Sequence, residues 1–184
     1  MNKKTLYTLC ESSVLIALAI VLSFIEIQIG PSGGSINFTM LPILIIAYRQ
    51  GAVWGIGSGM IFGLIKCIIG GGIGWGLPSI LLDYVLAYGA VGVAGIFKRK
   101  KGTLILSAVL GCIARYIIHF ISGITLYAIT VPTEVETIGT VISNAWAYSA
   151  IYNLVYMLPS SIVCIALMAV MPPVFRQMDK ITNK

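Results

Sequence analysis

Long apolar stretches run along the chain at approximately Leu6 to Ile29, Phe38 to Tyr48, Ala52 to Ile69, Leu77 to Phe97, Thr103 to Tyr127 and Val141 to Met171. Clusters of Gly, Pro or charge break them apart. A helix crosses a hydrocarbon core of about 30 Å with roughly 20 apolar residues, so the pattern predicts an all-α, polytopic membrane protein with six transmembrane helices. The second stretch is short and ends at Arg49. It must recruit part of Ser35 to Thr39 or run tilted and partly irregular. The first follows Lys3 and Lys4, as a secretory signal would, but it is long for such a signal and has no clear small-residue cleavage site, so it is expected to remain as a span. Residues 1–184 are expected to form one six-helix transmembrane domain.

A hydrophobic share of 58%, a charged share of 10% and a mean hydropathy of +0.98 exclude a water-soluble domain. Short connections leave no room for a separate catalytic domain, so the function has to sit inside the bundle or at its rim. The formal charge of +6 does not point to nucleic acid, because the basic residues form no groove-lining stripe. They read as topology signals. Lys3, Lys4, Arg49, Lys98 to Lys101, Arg176, Lys180 and Lys184 all fall on one side of a six-span layout, whereas Gly30 to Ile36, Gly70 to Gly76 and Thr130 to Thr140 hold no Lys or Arg. The positive-inside bias places both termini in the cytoplasm and those three loops outside.

Ionisable groups within a span are costly, so Glu26, Lys66, Asp83, Arg115 and His119 each need a reason. At about 1.5 Å per helical residue, Asp83, His119 and Tyr148 lie roughly 9, 12 and 10 Å below the outer ends of their spans. They share one level in the outer half, as an outward-opening pocket requires. Arg115, His119, Gly123 and Tyr127 recur every four residues and form one stripe, in which Gly123 leaves a gap. The alternative for this stripe is a helix-packing seam, with Gly for close approach and His satisfied by a neighbour. Asn144, Tyr148 and Tyr152 share a face of the sixth span; Trp146 and Asn153 share an adjacent one. Asn153 is deep enough that it must bond either a neighbouring helix or a ligand. Trp146 and Tyr127 could also be interfacial anchors.

Two readings of Asp83 stay open. It could form a structural salt bridge with Lys66 or Arg115. Alternatively, a carboxylate surrounded by Tyr84, Tyr148, Trp75 and Trp146 could receive an organic cation by charge and ring faces together. Glu26 and Lys66, near the outer mouth, are expected to pair with each other. The loop Gly70 to Gly76 lacks the Gly-Lys-Ser/Thr of a phosphate loop and reads as a flexible lid or a tight external turn presenting Trp75. No ATPase motif, HExxH or Ser/His/Asp constellation appears, so no catalytic residue, metal or cofactor is expected. Cys10, Cys67, Cys112 and Cys164 show no CxxC spacing and read as reduced packing residues. Ser13 and Ala17, four apart on the first span, form a small-xxx-small face suited to another helix, from a partner or from this chain.

The runs Ser35-Ile-Asn-Phe-Thr-Met-Leu-Pro-Ile, Leu81-Leu-Asp-Tyr84, Arg115-Tyr-Ile-Ile-His119 with Ile121-Ser-Gly123, and Tyr148-Ser-Ala-Ile-Tyr-Asn153 carry a resemblance. Together and in this order they resemble the thiamine-specific S components of energy-coupling factor (ECF) vitamin transporters. The resemblance covers nearly the whole chain. It implies a thiamine-binding subunit of a prokaryotic plasma membrane that works with a transmembrane coupling protein and two cytoplasmic ATPase subunits. In that reading Asp83 is the acidic partner of the thiazolium and Tyr84 and Tyr148 are ring neighbours. His119 and Asn153 hydrogen-bond or pack around the ligand, Gly123 gives it clearance, and Ser13 and Ala17 meet the coupling protein. Some relatives carry Glu in place of Asp83 and Trp in place of Tyr127.

Other readings compete with thiamine capture. The chain could serve another vitamin, or a thiamine precursor such as the uncharged pyrimidine. An intramembrane enzyme acting on lipid would use Asp83 and His119 as acid and base, but no nucleophile accompanies them at motif level. A packing or scaffold subunit would bind no small ligand at all.

Overall fold

The computed structural model describes residues 2–29, 34–100, 102–130, 135–137, 140–142 and 144–182. Helix α1 (Lys3–Ser23) is followed by a hairpin of β1 (Ile27–Ile29) and β2 (Gly34–Ile36), then α2 (Met40–Gln50) and α3 (Ala52–Ile69). A short helical turn at Gly72–Trp75 leads into α4 (Leu77–Phe97). Helix α5 (Leu104–Thr130), a second hairpin of β3 (Val135–Thr137) and β4 (Thr140–Ile142), α6 (Ala145–Val170) and α7 (Pro172–Thr182) complete the chain. Among the described residues, five of these helices are long and apolar enough to cross a membrane and α2 is a shorter apolar one. With α2 as the sixth crossing, the protein is a six-span membrane bundle with both termini at the basic, cytoplasmic end.

The first apolar stretch does not stay helical to Ile29. Ser23 Oγ turns back to the Ile20 carbonyl at 2.6 Å, and the β-branched run beyond Glu26 pairs antiparallel with Gly34–Ile36. The chain then passes inward through Asn37 to Thr39, both buried. Non-helical backbone at this depth is tolerated because protein groups satisfy it: Asn37 N donates to Ser160 Oγ at 3.2 Å, and Asn37 Oδ1 accepts from Thr39 N at 3.2 Å. Helix α2 can be short because it sits at the centre of the bundle. Met40, Ile43, Leu44, Ile46 and Ala47 are fully buried, so apolar residues surround its axis without lipid contact.

Helices α3 and α4 touch backbone to backbone. Gly55, Gly59 and Gly63 follow each other at four-residue spacing on one face of α3. A Cβ on Gly59 would come within 2.1 Å of the Tyr88 carbonyl oxygen, and one on Gly63 within 2.2 Å of that of Tyr84. From the other side, a Cβ on Gly92 would meet Ile56 N at 2.1 Å. This seam sets the height of α4 against α3, and with it the height of Asp83 and Tyr84. The cysteines at 10, 67, 112 and 164 are free; Cys67, Cys112 and Cys164 are buried among the packing residues.

Arg49 is not the loop residue that its place between two spans suggests. It lies in the last turn of α2, is 1% exposed, and pairs with Glu11 of α1 and Asp179 of α7. Phe175 of α7 stacks on Tyr48, ring centroids 6.0 Å apart, which folds α7 against the cytoplasmic end of the bundle.

Candidate binding site in the outer half of the bundle

Asp83 lies in a π-helical stretch of α4, Ile80–Leu86. Such wide turns are frequent at functional sites, because they rotate one side chain out of the regular helical register. The carboxylate points into the bundle: Asp83 Oδ1 is 3.1 Å from His119 Nδ1 on α5, and Oδ2 accepts from Ser79 Oγ at 2.8 Å. Of the two readings open for Asp83, the salt bridge with Lys66 or Arg115 does not form. Lys66 Nζ is 2.9 Å from Glu26 Oε2, which also accepts from Ser35 Oγ at 2.8 Å. Arg115 instead stacks its guanidinium over the Tyr88 ring, 4.1 Å from the centroid. The first ion pair matches the expectation for Glu26 and Lys66, and it leaves Asp83 free of a full cationic partner from these two residues.

From His119 an aromatic ladder runs up α6. The imidazole meets the Tyr156 ring edge to face at 6.2 Å, Tyr156 meets Tyr152 at 5.5 Å, and Tyr152 stacks on Tyr148 at 5.5 Å and 9°. Tyrosines at positions 148, 152 and 156 share a helical face by their spacing of four. Tyr156 is not among the residues that charge and depth single out, and this spacing is its signal in the sequence. The outer hairpin closes against this ladder: Gly34 N donates to Tyr152 Oη at 2.8 Å, and a Cβ on Gly34 would lie 2.6 Å from Tyr156 Cδ1. Tyr84 holds the other side. A Cβ on Gly72 would come within 2.5 Å of its Cζ, so the glycine-rich segment sits directly on the Tyr84 ring as a tight turn.

Asn153 and Gly123 take up packing positions. Asn153 Nδ2 donates to the His119 carbonyl at 3.2 Å and the Ser149 carbonyl at 2.8 Å, while Oδ1 accepts from Tyr156 Oη at 2.5 Å. Of the two partners expected for Asn153, a neighbouring helix is the one that the geometry supplies. The gap expected at Gly123 is filled, since a Cβ there would lie 2.2 Å from Ser149 Oγ. Ser149 in turn donates to the Phe120 carbonyl at 2.7 Å, which draws α5 and α6 together at this level. Trp146 is 62% exposed and its ring packs edge-on against Phe120. That is the geometry of an interfacial anchor, not of a wall around Asp83. The side chains of Trp75 and Tyr127 lie outside the described residues.

A buried polar atom without a protein partner needs an explanation, and a ligand is one. Among the described residues there are five such atoms: Ser12 Oγ on α1, Arg49 Nη2 on α2, and Arg115 Nε, His119 Nε2 and Ser122 Oγ on α5. At i, i+4 and i+7 the three on α5 fall on one face. Ser122 stands beside the Asp83 carboxylate. No group of three or more metal-ligating side chains occurs among the described residues. The site therefore combines an inward-facing carboxylate, unspent donors and acceptors, and stacked rings, which suits a flat polar ligand better than an apolar one.

A sequence profile of the thiamine transporter protein family matches residues 9–180. The chain belongs to the thiamine transporter protein family. It is 33% identical over 178 residues to the thiamine transporter ThiT of Bacillus subtilis (strain 168), covering 89% of this chain and 88% of that one. It is 29% identical over 166 residues to ThiT of Lacticaseibacillus paracasei, covering 82% and 79%. Its fold is similar to that of a solved ThiT from Listeria monocytogenes, with a TM-score of 0.77 at 24% identity over 91% of this chain and 94% of that one. Membership of this transporter family makes the chain a multi-pass cell-membrane transport protein and not an enzyme. Among the described residues, the Asp83–His119 pair joins a carboxylate to the aromatic ladder of α6.

Proposed function

We propose that this chain is the thiamine-capturing S component of an ECF-type vitamin importer, a single substrate-binding domain that takes the vitamin from outside into the pocket around Asp83. The observation that carries the reading is the Asp83 carboxylate, held by His119 at 3.1 Å and Ser79 at 2.8 Å and facing the bundle interior. Its side chain remains 21% exposed. A fixed positive charge such as a thiazolium gains from such a group, because the surroundings are less polarisable than water and the carboxylate is already oriented. Tyr84 and Tyr148 supply ring faces, which attract a cation and bury the flat ring. His119 Nε2 and Ser122 Oγ are the unspent groups that would meet the ligand's polar edge, with Asn153 and Gly123 fixing the α5–α6 spacing behind them.

Delivery would need partners, since no nucleotide-binding motif exists in the chain. Ser13 and Ala17 are exposed on α1, beside Val14 at 69% and Val21 at 59% exposure. Their exposure favours docking over intramolecular packing, with this outward face meeting a helix of a transmembrane coupling protein that links to two cytoplasmic ATPase subunits.

Ligand choice tests the reading. The purified chain, without any ATPase, is titrated with thiamine and with its uncharged pyrimidine fragment while tryptophan fluorescence is followed. Thiamine is expected to bind saturably and at least tenfold more tightly, about 1.4 kcal/mol. Equal affinities, or no saturable binding of thiamine, would reject a site built around a cation.

A further inference from the structure

At the cytoplasmic end, the acidic residues are spent internally. Arg49 donates through Nε to Glu11, and through Nη1 to Asp179 at 2.8 Å and to the Phe175 carbonyl at 3.5 Å. Gln50 Nε2 donates to Glu11 as well. Arg99 Nη1 reaches Asp179 at 3.2 Å from the α4–α5 connection, and Arg99 Nε donates to the Arg49 carbonyl at 3.0 Å. Glu11 and Asp179 thereby turn toward a buried guanidinium, and the helix that carries Asp179 is fixed in its rotation. Its Phe175 face lies against the bundle, so Arg176, Gln177 and Lys180 are exposed on the other side.

What this end presents outward is therefore cationic. Lys3, Lys4, Lys98, Lys100, Arg176 and Lys180 are all exposed. They come from the start of α1, the α4–α5 connection and α7, which is separated by the single residue Met171 from the end of α6 at Val170. Helix α7 thus starts where a spanning helix leaves the hydrocarbon, at the depth of the lipid phosphates. We propose that this basic rim binds anionic phospholipid headgroups of the cytoplasmic leaflet, with Arg176 and Lys180, one turn apart on α7, as its central pair. Basic clusters just beyond the membrane or on an amphipathic helix attract acidic lipids, by about fivefold in affinity for each charge near the surface. Placement on three separate elements fits a leaflet, which surrounds the whole rim, better than a single protein patch. Both acids are paired, Glu11 with Arg49 and Asp179 with Arg49 and Arg99, so among the described residues this end keeps no unpaired carboxylate to weaken the attraction.

The test uses the full chain in mixed micelles of equimolar phosphatidylglycerol and phosphatidylcholine, with the retained lipids counted by native mass spectrometry. The unaltered protein is expected to retain phosphatidylglycerol preferentially. Arg176→Gln with Lys180→Gln is expected to reduce that preference by about fivefold per charge removed, and high salt to erase it. Lys98→Gln with Lys100→Gln gives a second reading on the same rim, which decides the matter if the first variant is not recovered folded. Equal retention of both lipids by the unaltered protein, or a preference that survives the substitutions, would overturn the proposal. A variant that keeps its lipid preference but no longer associates with its transport partners would also overturn it, and would assign the surface to an acidic protein face.

Discussion

His119 Nδ1 lies 3.1 Å from Asp83 Oδ1 across the interface of α4 and α5. An ionised carboxylate only accepts, so Nδ1 is the donor and the unpartnered Nε2 of a neutral ring is an acceptor facing the site. Replacing His119 with Ala removes both contributions at once. Thiamine affinity is expected to fall by roughly tenfold to a hundredfold, the range for a hydrogen bond to a charged group, whereas His119→Gln, which keeps a donor, should retain more of it. Fluorescence titration of the purified variants measures the difference.

The α5–α6 contact at Gly123 leads to a different outcome. A Cβ there would lie 2.2 Å from Ser149 Oγ, so Gly123→Ala is expected to lower stability by about 1–3 kcal/mol through overpacking. Adding Ser149→Ala removes the clashing hydroxyl and should restore part of the loss, a coupling that thermal unfolding of the single and double variants would reveal. Additive losses would mean that Gly123 does not act through Ser149.

The glycine seam of α3 carries its own internal control. Gly63→Ala brings a Cβ to 2.2 Å from the Tyr84 carbonyl, while Gly57 has nothing within 4 Å. Gly63→Ala is expected to destabilise the bundle and to weaken thiamine binding, because α4 must shift and Asp83 shifts with it. Gly57→Ala should leave both unchanged or raise stability by up to about 1 kcal/mol. Parallel unfolding and binding measurements on the two variants separate seam from surface.

At the cytoplasmic end, Arg49→Ala leaves Glu11 buried without its cation, and breaking such a pair costs about 3–5 kcal/mol. Arg49→Met combined with Glu11→Leu removes both charges and is expected to recover most of that stability. Detergent-solubilised variants compared by thermal unfolding supply the check, and a double variant as unstable as the single one would contradict it.

Much of this site was readable along the chain, and the part that was not has identifiable reasons. Helical depth placed Asp83 and His119 at one level, and the structure joins them; the same arithmetic paired Glu26 with Lys66. Whether Asp83 meets Lys66, Arg115 or neither is not legible, because depth gives height but not azimuth, and the π-helical turn at Ile80–Leu86 alters azimuth locally. Periodicity leaves Gly123 and Asn153 open between a ligand and a neighbouring helix, because it shows a face without showing which helix fills it. Arg49 looked like a loop charge because its partners Glu11 and Asp179 are 38 and 130 residues away in sequence. The four-residue repeat at Gly55, Gly59 and Gly63 was visible and unused, although small residues at that spacing are the usual sign of close helix contact in membranes. The outer hairpin was missed because Ile25, Ile27 and Ile29 are as apolar as a helix end, and only their β-branching argued otherwise.

If the small face of α1 is a docking surface, Ser13→Leu and Ala17→Leu should leave thiamine binding by the isolated chain unchanged and abolish uptake in cells that contain the other transporter subunits. Both side chains are exposed, so folding is not expected to suffer. Loss of binding in the isolated variants would place the role of these residues inside the bundle.

The central claim is that the Asp83 carboxylate receives the cation of the vitamin, and one comparison tests it most directly. Thiamine is titrated calorimetrically into the purified full-length chain and into its Asp83→Asn and Glu26→Gln variants. Asp83→Asn is expected to lose affinity by about thirtyfold or more, as for removal of one partner of a buried charge pair. Glu26→Gln, at a half-buried ion pair at the outer mouth, should change it by no more than about fivefold. Equal losses in the two variants would contradict the claim and leave Asp83 as a structural partner of His119.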